Sequence, residues 1–153
     1  MHREHWISKI SFRNHAYLHH RKFYQTFNKE EDELGRQFNL KMDLLENFIF
    51  GLPIWIVAYL TSPAFCGILF TTFVAQQLTW NLAHVEMHNP TSRWVRWFPY
   101  FTFIEEYHWL HHKYPGKNYN VVFPLFDYIM GTHIHAYPQD IEQMKKERIG
   151  RYR

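Results

Sequence analysis

Cysteine is nearly missing from this chain: Cys66 is the only one in 153 residues. No disulfide can close within the chain, and no cysteine zinc site can form. An excess of one charge is missing too. Lysine plus arginine number 17 against 14 aspartate plus glutamate, a surplus too small to mark a nucleic-acid-binding protein. No basic segment followed by an apolar core and a cleavage site opens the sequence, so no removable signal peptide is expected. Internal repeats and low-complexity tracts are absent. The most informative gap lies between Glu46 and Glu86, where 39 consecutive residues contain no Asp, Glu, Lys or Arg.

That gap reads NFIFGLPIWIVAYLTSPAFCGILFTTFVAQQLTWNLAHV. A membrane-spanning helix needs about 17–25 mostly apolar residues, and the run has room for two with a turn near Thr61-Ser62-Pro63. A hairpin buried in a soluble core is the competing reading, but soluble helices normally turn a polar face to water. Here only Gln76, Gln77, Asn81 and a few hydroxyls break the apolar surface. A hairpin returns both ends to one side of a bilayer. The turn carries no basic residue, while residues 1–46 carry eight and residues 84–153 carry nine, so the positive-inside rule puts both flanks in the cytosol. Trp55, Trp80, Trp94 and Trp97 fit interfacial anchors.

Elsewhere, residues 1–27 look like an amphipathic helical region. NKEEDELGRQF reads as a polar connector in which Gly35 stops a helix. Asp43 is placed to cap the helix leading into the first span, and Pro53 to kink that span or shift its start. The second span is expected from about Ala64 to Asn81. Pro90 and Pro99 punctuate a break, a helix is predicted over 102–112, and KYPGKNYN is a loop. YPQDIEQMKKERIG carries Pro138 at its start, acids early, bases late and Gly150 at its end, the marks of a short helix.

Histidine is abundant, with 12 in the chain. His2 and His5 are spaced i,i+3. His84 and His88 are i,i+4, and His108, His111 and His112 are i,i+3,i+4. His15, His19 and His20 are i,i+4,i+5, so His20 needs a small rotation to join its partners. Residues three or four apart share a helix face, so each cluster can aim its rings at one point. Imidazole suits iron, zinc, copper and nickel. The ten clustered rings are too many for one ion and fit two. His133 and His135 stand apart and read better as a solvated pair than as partners of ligands. Glu86 is placed to orient an imidazole or to face solvent. Asn118 and Tyr119 are placed to fix the loop after HWLHH. Asp127 is a candidate acid, better read as a cap or hydrogen-bond partner of a neighbouring turn.

These boxes resemble the fatty acid hydroxylase and sterol desaturase superfamily of integral membrane di-metal enzymes. HREH corresponds to its first box, with two spacers where the family has three or four. HAYLHH corresponds to the second with one extra spacer, HVEMH to the third, and HWLHH to the last. KNYNVVFPLFDYIMGTH is similar to the family's ending, with Asn118-Tyr119, Asp127 and Gly131-Thr132. The family carries further membrane helices ahead of its first box, so a minimal or truncated member is expected.

The resemblance implies an all-α fold: a membrane helical hairpin over 47–83, with cytosolic histidine-rich helical regions over 1–46 and 84–153 capping it and holding a di-metal site. All of this would form one fatty acid hydroxylase-like domain. The metal set is expected to be two iron ions, with zinc a possible substitute, on His2, His5, His15, His19, His20, His84, His88, His108, His111 and His112. The activity implied is O2-dependent hydroxylation or desaturation of a fatty acyl or sterol C–H bond. Electrons would come from an external donor such as cytochrome b5 or a ferredoxin with its reductase. The implied partners are a lipid substrate and the membrane, with no nucleic acid. The location is the endoplasmic reticulum in a eukaryote or the inner membrane in a bacterium, with the histidines facing the cytosol. Two rivals remain at this level: a non-catalytic membrane metal-binding protein, and an inactive truncated relative of the oxygenases.

Overall fold

In the computed structural model, the described residues are His20, Phe27, 33–88, Ser92, Val95, 97–120 and 122–153; side chains within the first helix are described only at Leu45 and beyond Glu46. Apart from His20 and Phe27, the expected helical region over 1–27 lies outside these residues, as do the expected ligands His2, His5, His15 and His19. The chain divides into two compact units, Glu31–Val85 and the combination of Met1–Glu30 with Glu86–Arg153. Among the described residues every regular element is helical, in agreement with the all-α expectation.

The first unit is built on α1, Glu33–Thr61, and most of α2, Pro63–His88. They turn where expected, and the local chemistry explains why. Ser62 leaves the helical conformation and its hydroxyl accepts the Phe65 N–H at 3.3 Å, an N-cap interaction, while Pro63 occupies the first helical position, where no N–H is needed. Trp55 ties the pair together. Its ring lies 5.2 Å from Phe73 and 6.0 Å from Phe70, and its backbone carbonyl accepts the Cys66 thiol at 3.6 Å. The indole lies over Gly51, where a side chain would collide with it.

Two expectations fail in α1, and one half of a third. Gly35 does not stop a helix, Asp43 does not stand at a helix start, and Pro53 does not shift the start: all three lie inside one 29-residue helix. A proline removes one backbone donor, and the neighbouring turns carry the helix across that gap. Longer than expected, α2 runs on through His84 to His88.

The membrane-spanning expectation is corrected as well. Among the described residues, no helix is long and apolar enough to cross a membrane. In α1 the charge-free part covers only 47–61, about 22 Å at ~1.5 Å per residue against a hydrocarbon core of about 30 Å. In α2 the threonines, Gln76, Gln77, Asn81 and His84 dilute the apolar character.

The second unit holds α3, Pro99–Lys113, α4, Leu125–Ile129, and α5, Pro138–Glu147, followed by a 3-10 turn over Gly150–Tyr152. Pro99 starts α3 and Pro138 starts α5, as the sequence indicates. Asp140 accepts the Tyr137 N–H at 2.8 Å and closes a capping box. α5 stops at Arg148, in the left-handed conformation at φ 57°, two residues before the expected Gly150. Gly150 is needed one step later. Its φ is also 57°, and any side chain there would strike Glu106.

One face of α3 is fastened to these last residues. Glu105 accepts the Gly150 N–H and pairs with Arg153; Glu106 takes Arg151 through Nε at 2.8 Å and Nη2 at 2.9 Å. Trp109 Nε1 donates to Glu147 at 2.9 Å, and Lys113 pairs with buried Asp140 at 2.7 Å. The same helix thereby presents Tyr107, His108, His111 and His112, all buried, to a different part of the unit.

Candidate metal centre

Three imidazoles meet nitrogen to nitrogen. His108 Nε2 lies 3.0 Å from His88 Nε2 and 3.1 Å from His112 Nε2. Their ring centroids are 4.5–5.0 Å apart. His84, one turn earlier on the uninterrupted α2, stacks on Trp80 at 4.5 Å. It offers a fourth nitrogen, and the four ligand atoms lie within 4.8 Å of one another. His108, His88 and His112 are 0%, 1% and 4% exposed. Burying this many imidazoles with their nitrogens converging is costly unless something satisfies them.

The arrangement fits a metal ion. Two nitrogens at right angles, each about 2.1 Å from one ion, lie about 3.0 Å apart, which is the spacing His108 keeps with both neighbours. The tautomers fit as well. His88 Nδ1 is 2.8 Å from the Phe27 carbonyl, and a carbonyl only accepts. That nitrogen therefore carries the proton and leaves a lone pair on Nε2, the atom aimed at His108. His111 repeats the pattern, with Nδ1 2.7 Å from the Lys117 carbonyl. Burial pushes the His111 imidazole below its ordinary pKa, with the Lys117 hydrogen bond opposing, so a neutral, ligating form is favoured.

His20 completes the group, with its ring 4.5 Å from His112 and 4.9 Å from His111. Phe27 packs against His88 at 4.6 Å, His112 at 5.5 Å and His108 at 5.7 Å, an apolar wall that keeps water from the rings. Of the ten expected ligands, the structure gathers His20, His84, His88, His108, His111 and His112. The other four lie outside the described residues.

The remaining candidates separate cleanly. Glu86 accepts the Ser92 N–H at 2.5 Å. Asp127 is fully buried and accepts from Tyr107 Oη at 2.9 Å, the N–H groups of Tyr119 at 3.0 Å and Asn120 at 2.6 Å, and Thr132 Oγ1 at 2.5 Å. Burial pushes its pKa up, but these donors outweigh burial and hold the carboxyl below its ordinary value. It is the hydrogen-bonded hub of a turn, as expected. His133 lies between Tyr107 and Tyr128, its centroid 5.7 and 4.1 Å from theirs. It pairs with His135 as expected, their centroids 4.4 Å apart, and His135 is exposed, but His133 itself is half-buried rather than solvated. Sequence reasoning missed Phe27 and Lys117 as partners of the histidines. Both act through backbone carbonyls, which leave no mark in a sequence.

Fold and site together define an all-helical protein with a buried imidazole cluster suited to a metal ion. The chain belongs to the fatty acid hydroxylase family, whose model matches residues 1–132; with it the chain falls in the fatty acid hydroxylase and sterol desaturase superfamily. Comparisons with curated proteins and with solved structures return no match.

Proposed function

We propose that this protein is a membrane-associated iron oxygenase that hydroxylates or desaturates a C–H bond of a fatty acyl or sterol lipid. The convergence of His88, His108 and His112 through their Nε2 atoms carries the reading, and the family match supports it. His84, His88, His108 and His112 hold one ion. His20 and His111 stand beside them for a second, completed from His2, His5, His15 and His19.

Iron, when bound, supplies O2 activation and the one-electron steps that an unactivated C–H bond requires. For hydroxylation the balance is substrate, O2, two electrons and two protons giving alcohol and water. The electrons come from a soluble or membrane-bound carrier such as cytochrome b5 or a ferredoxin with its reductase. The chain's own part is positional. The Phe27 and Lys117 carbonyls set the tautomers of His88 and His111. Phe27 covers the rings. Neutral imidazoles hold the metal without adding negative charge.

The first unit supports membrane association. Ile54, Ile56, Val57, Leu60, Ile68 and Leu82 are exposed. The hydroxyls of Thr71, Thr72 and Thr79 turn back to carbonyls of their own helix at 2.8–2.9 Å, so they ask little of water. Such a surface lies in the apolar margin of a bilayer, at the endoplasmic reticulum in a eukaryote or the inner membrane in a bacterium, and its lipids are the substrate pool. The test is lipid profiling of cells making the protein or its His112→Ala variant. Products one oxygen heavier, or two hydrogens lighter, should appear with the native chain and vanish with the variant. Identical profiles would rule the activity out.

A further inference from the structure

We propose that Asn118 is a positioning residue for the metal centre: its side chain clips the loop after α3 onto residues 132–134, holding the Lys117 carbonyl on His111 so that His111 presents Nε2 alone. The proposal rests on the metal-centre reading above.

The Lys117 C=O and the Asn118 N–H belong to the same rigid peptide unit. On one side the C=O accepts from His111 Nδ1 at 2.7 Å; on the other the N–H donates to the Thr132 carbonyl at 3.0 Å. The plane is therefore a strut between residue 132 and the imidazole, and whatever fixes it fixes the His111 proton.

Asn118 does the fixing. It is 0% exposed and sits at φ 52°, a left-handed conformation that asparagine tolerates better than most residues. Its Oδ1 accepts the Ile134 N–H at 2.9 Å, and its Nδ2 donates to the Ile134 carbonyl at 3.3 Å. A primary amide imitates here the paired bonds of a backbone ladder. Glycine would accept the φ and lose the grip, and aspartate would keep the acceptor and lose the donor. Asp127 anchors both banks of the clip, taking the N–H groups of Tyr119 and Asn120 on one side and the Thr132 hydroxyl on the other. Tyr107, which also donates to Asp127, is one helical turn before His111, so α3 meets this assembly at two successive turns.

The experiment uses the full chain in detergent, stripped of metal and labelled with 15N-histidine. His111→Ala assigns the His111 signal. In the native chain the long-range 1H–15N spectrum should show His111 as a single Nδ1–H tautomer. Asn118→Gly, which keeps the backbone conformation, should give a mixture of tautomers and lower cobalt(II) affinity by about tenfold. Asn118→Asp should give a smaller change in the same direction, and it carries the test if the glycine variant does not fold. A folded variant that keeps the single tautomer and the native cobalt affinity overturns the proposal, as does a native His111 protonated on Nε2. If the tautomer responds but the native chain binds no cobalt, the clip stands and the metal-centre reading falls.

Discussion

Helices α1 and α2 leave Ile54, Val57, Leu60, Ile68 and Leu82 on the surface, whereas α3 and the residues after it bury His108, Glu105, Asn118, Asp127 and Asp140 at 0–1% exposure. The two regions invert the usual placement of polar and apolar groups. The first suits the apolar margin of a bilayer proposed above, because exposed aliphatic surface in water forgoes about 25 cal/mol for each Å² left uncovered. The second is stable only because its polar groups satisfy one another: Asp127 takes four donors, Asn118 three contacts, and Asp140 a lysine, a tyrosine and a backbone N–H. The difference teaches where specificity resides. Apolar contact in the first region tolerates exchange of one aliphatic residue for another, while each buried polar group in the second has a named partner and little freedom.

The largest effect that would break the comparison is expected from His108→Ala. His108 Nε2 makes both of the short contacts in the cluster, and its loss should lower retained metal at least about 100-fold by elemental analysis of the purified chain. The same substitution should leave vesicle binding by the first region unchanged.

Next comes Asp127→Ala, which strands several donors and should cost about 3 kcal/mol or more of stability in thermal unfolding. Its pH dependence has a definite sign. The folded carboxyl is held below its ordinary value, so its contribution is present above the unfolded pKa of about 3.9 and is lost as pH falls through the folded value. The native chain should therefore lose stability with acid below about pH 4, and the variant should lack that component.

A smaller effect sharpens the other half of the comparison. Leu60→Lys with Ile68→Lys, both at exposed positions, should reduce flotation with lipid vesicles by about tenfold or more. Metal content should not change. The smallest effect is expected from Arg151→Ala. Its partner is Glu106, but the arginine is mostly exposed, and such pairs contribute only about 0.2–1 kcal/mol.

Much of the second region was legible in the sequence. Pro138 with its early acids and late bases marked α5, and the i,i+3,i+4 spacing of His108, His111 and His112 announced a shared helix face. Ser62-Pro63 marked the turn between α1 and α2, because a hydroxyl acceptor followed by a residue without an N–H suits a helix start. Local signals misled in α1, where Gly35 and Asp43 each suggested a boundary that the continuous helix overrides, and Pro53 does not shift its start. The run free of charge overstated its span because absence of charge is not the same as apolar length. The carbonyls of Phe27 and Lys117 were beyond reach, since every residue has one and only the fold decides which faces an imidazole.

The central claim, that these imidazoles gather on metal, is tested most directly by iron K-edge X-ray absorption of the purified chain. The spectrum should show bound iron with a shell of nitrogens at about 2.1 Å and the multiple scattering of several imidazole rings, weakened in His108→Ala. An absent iron edge, or a shell without imidazole scattering that the variant leaves unaltered, would contradict the claim.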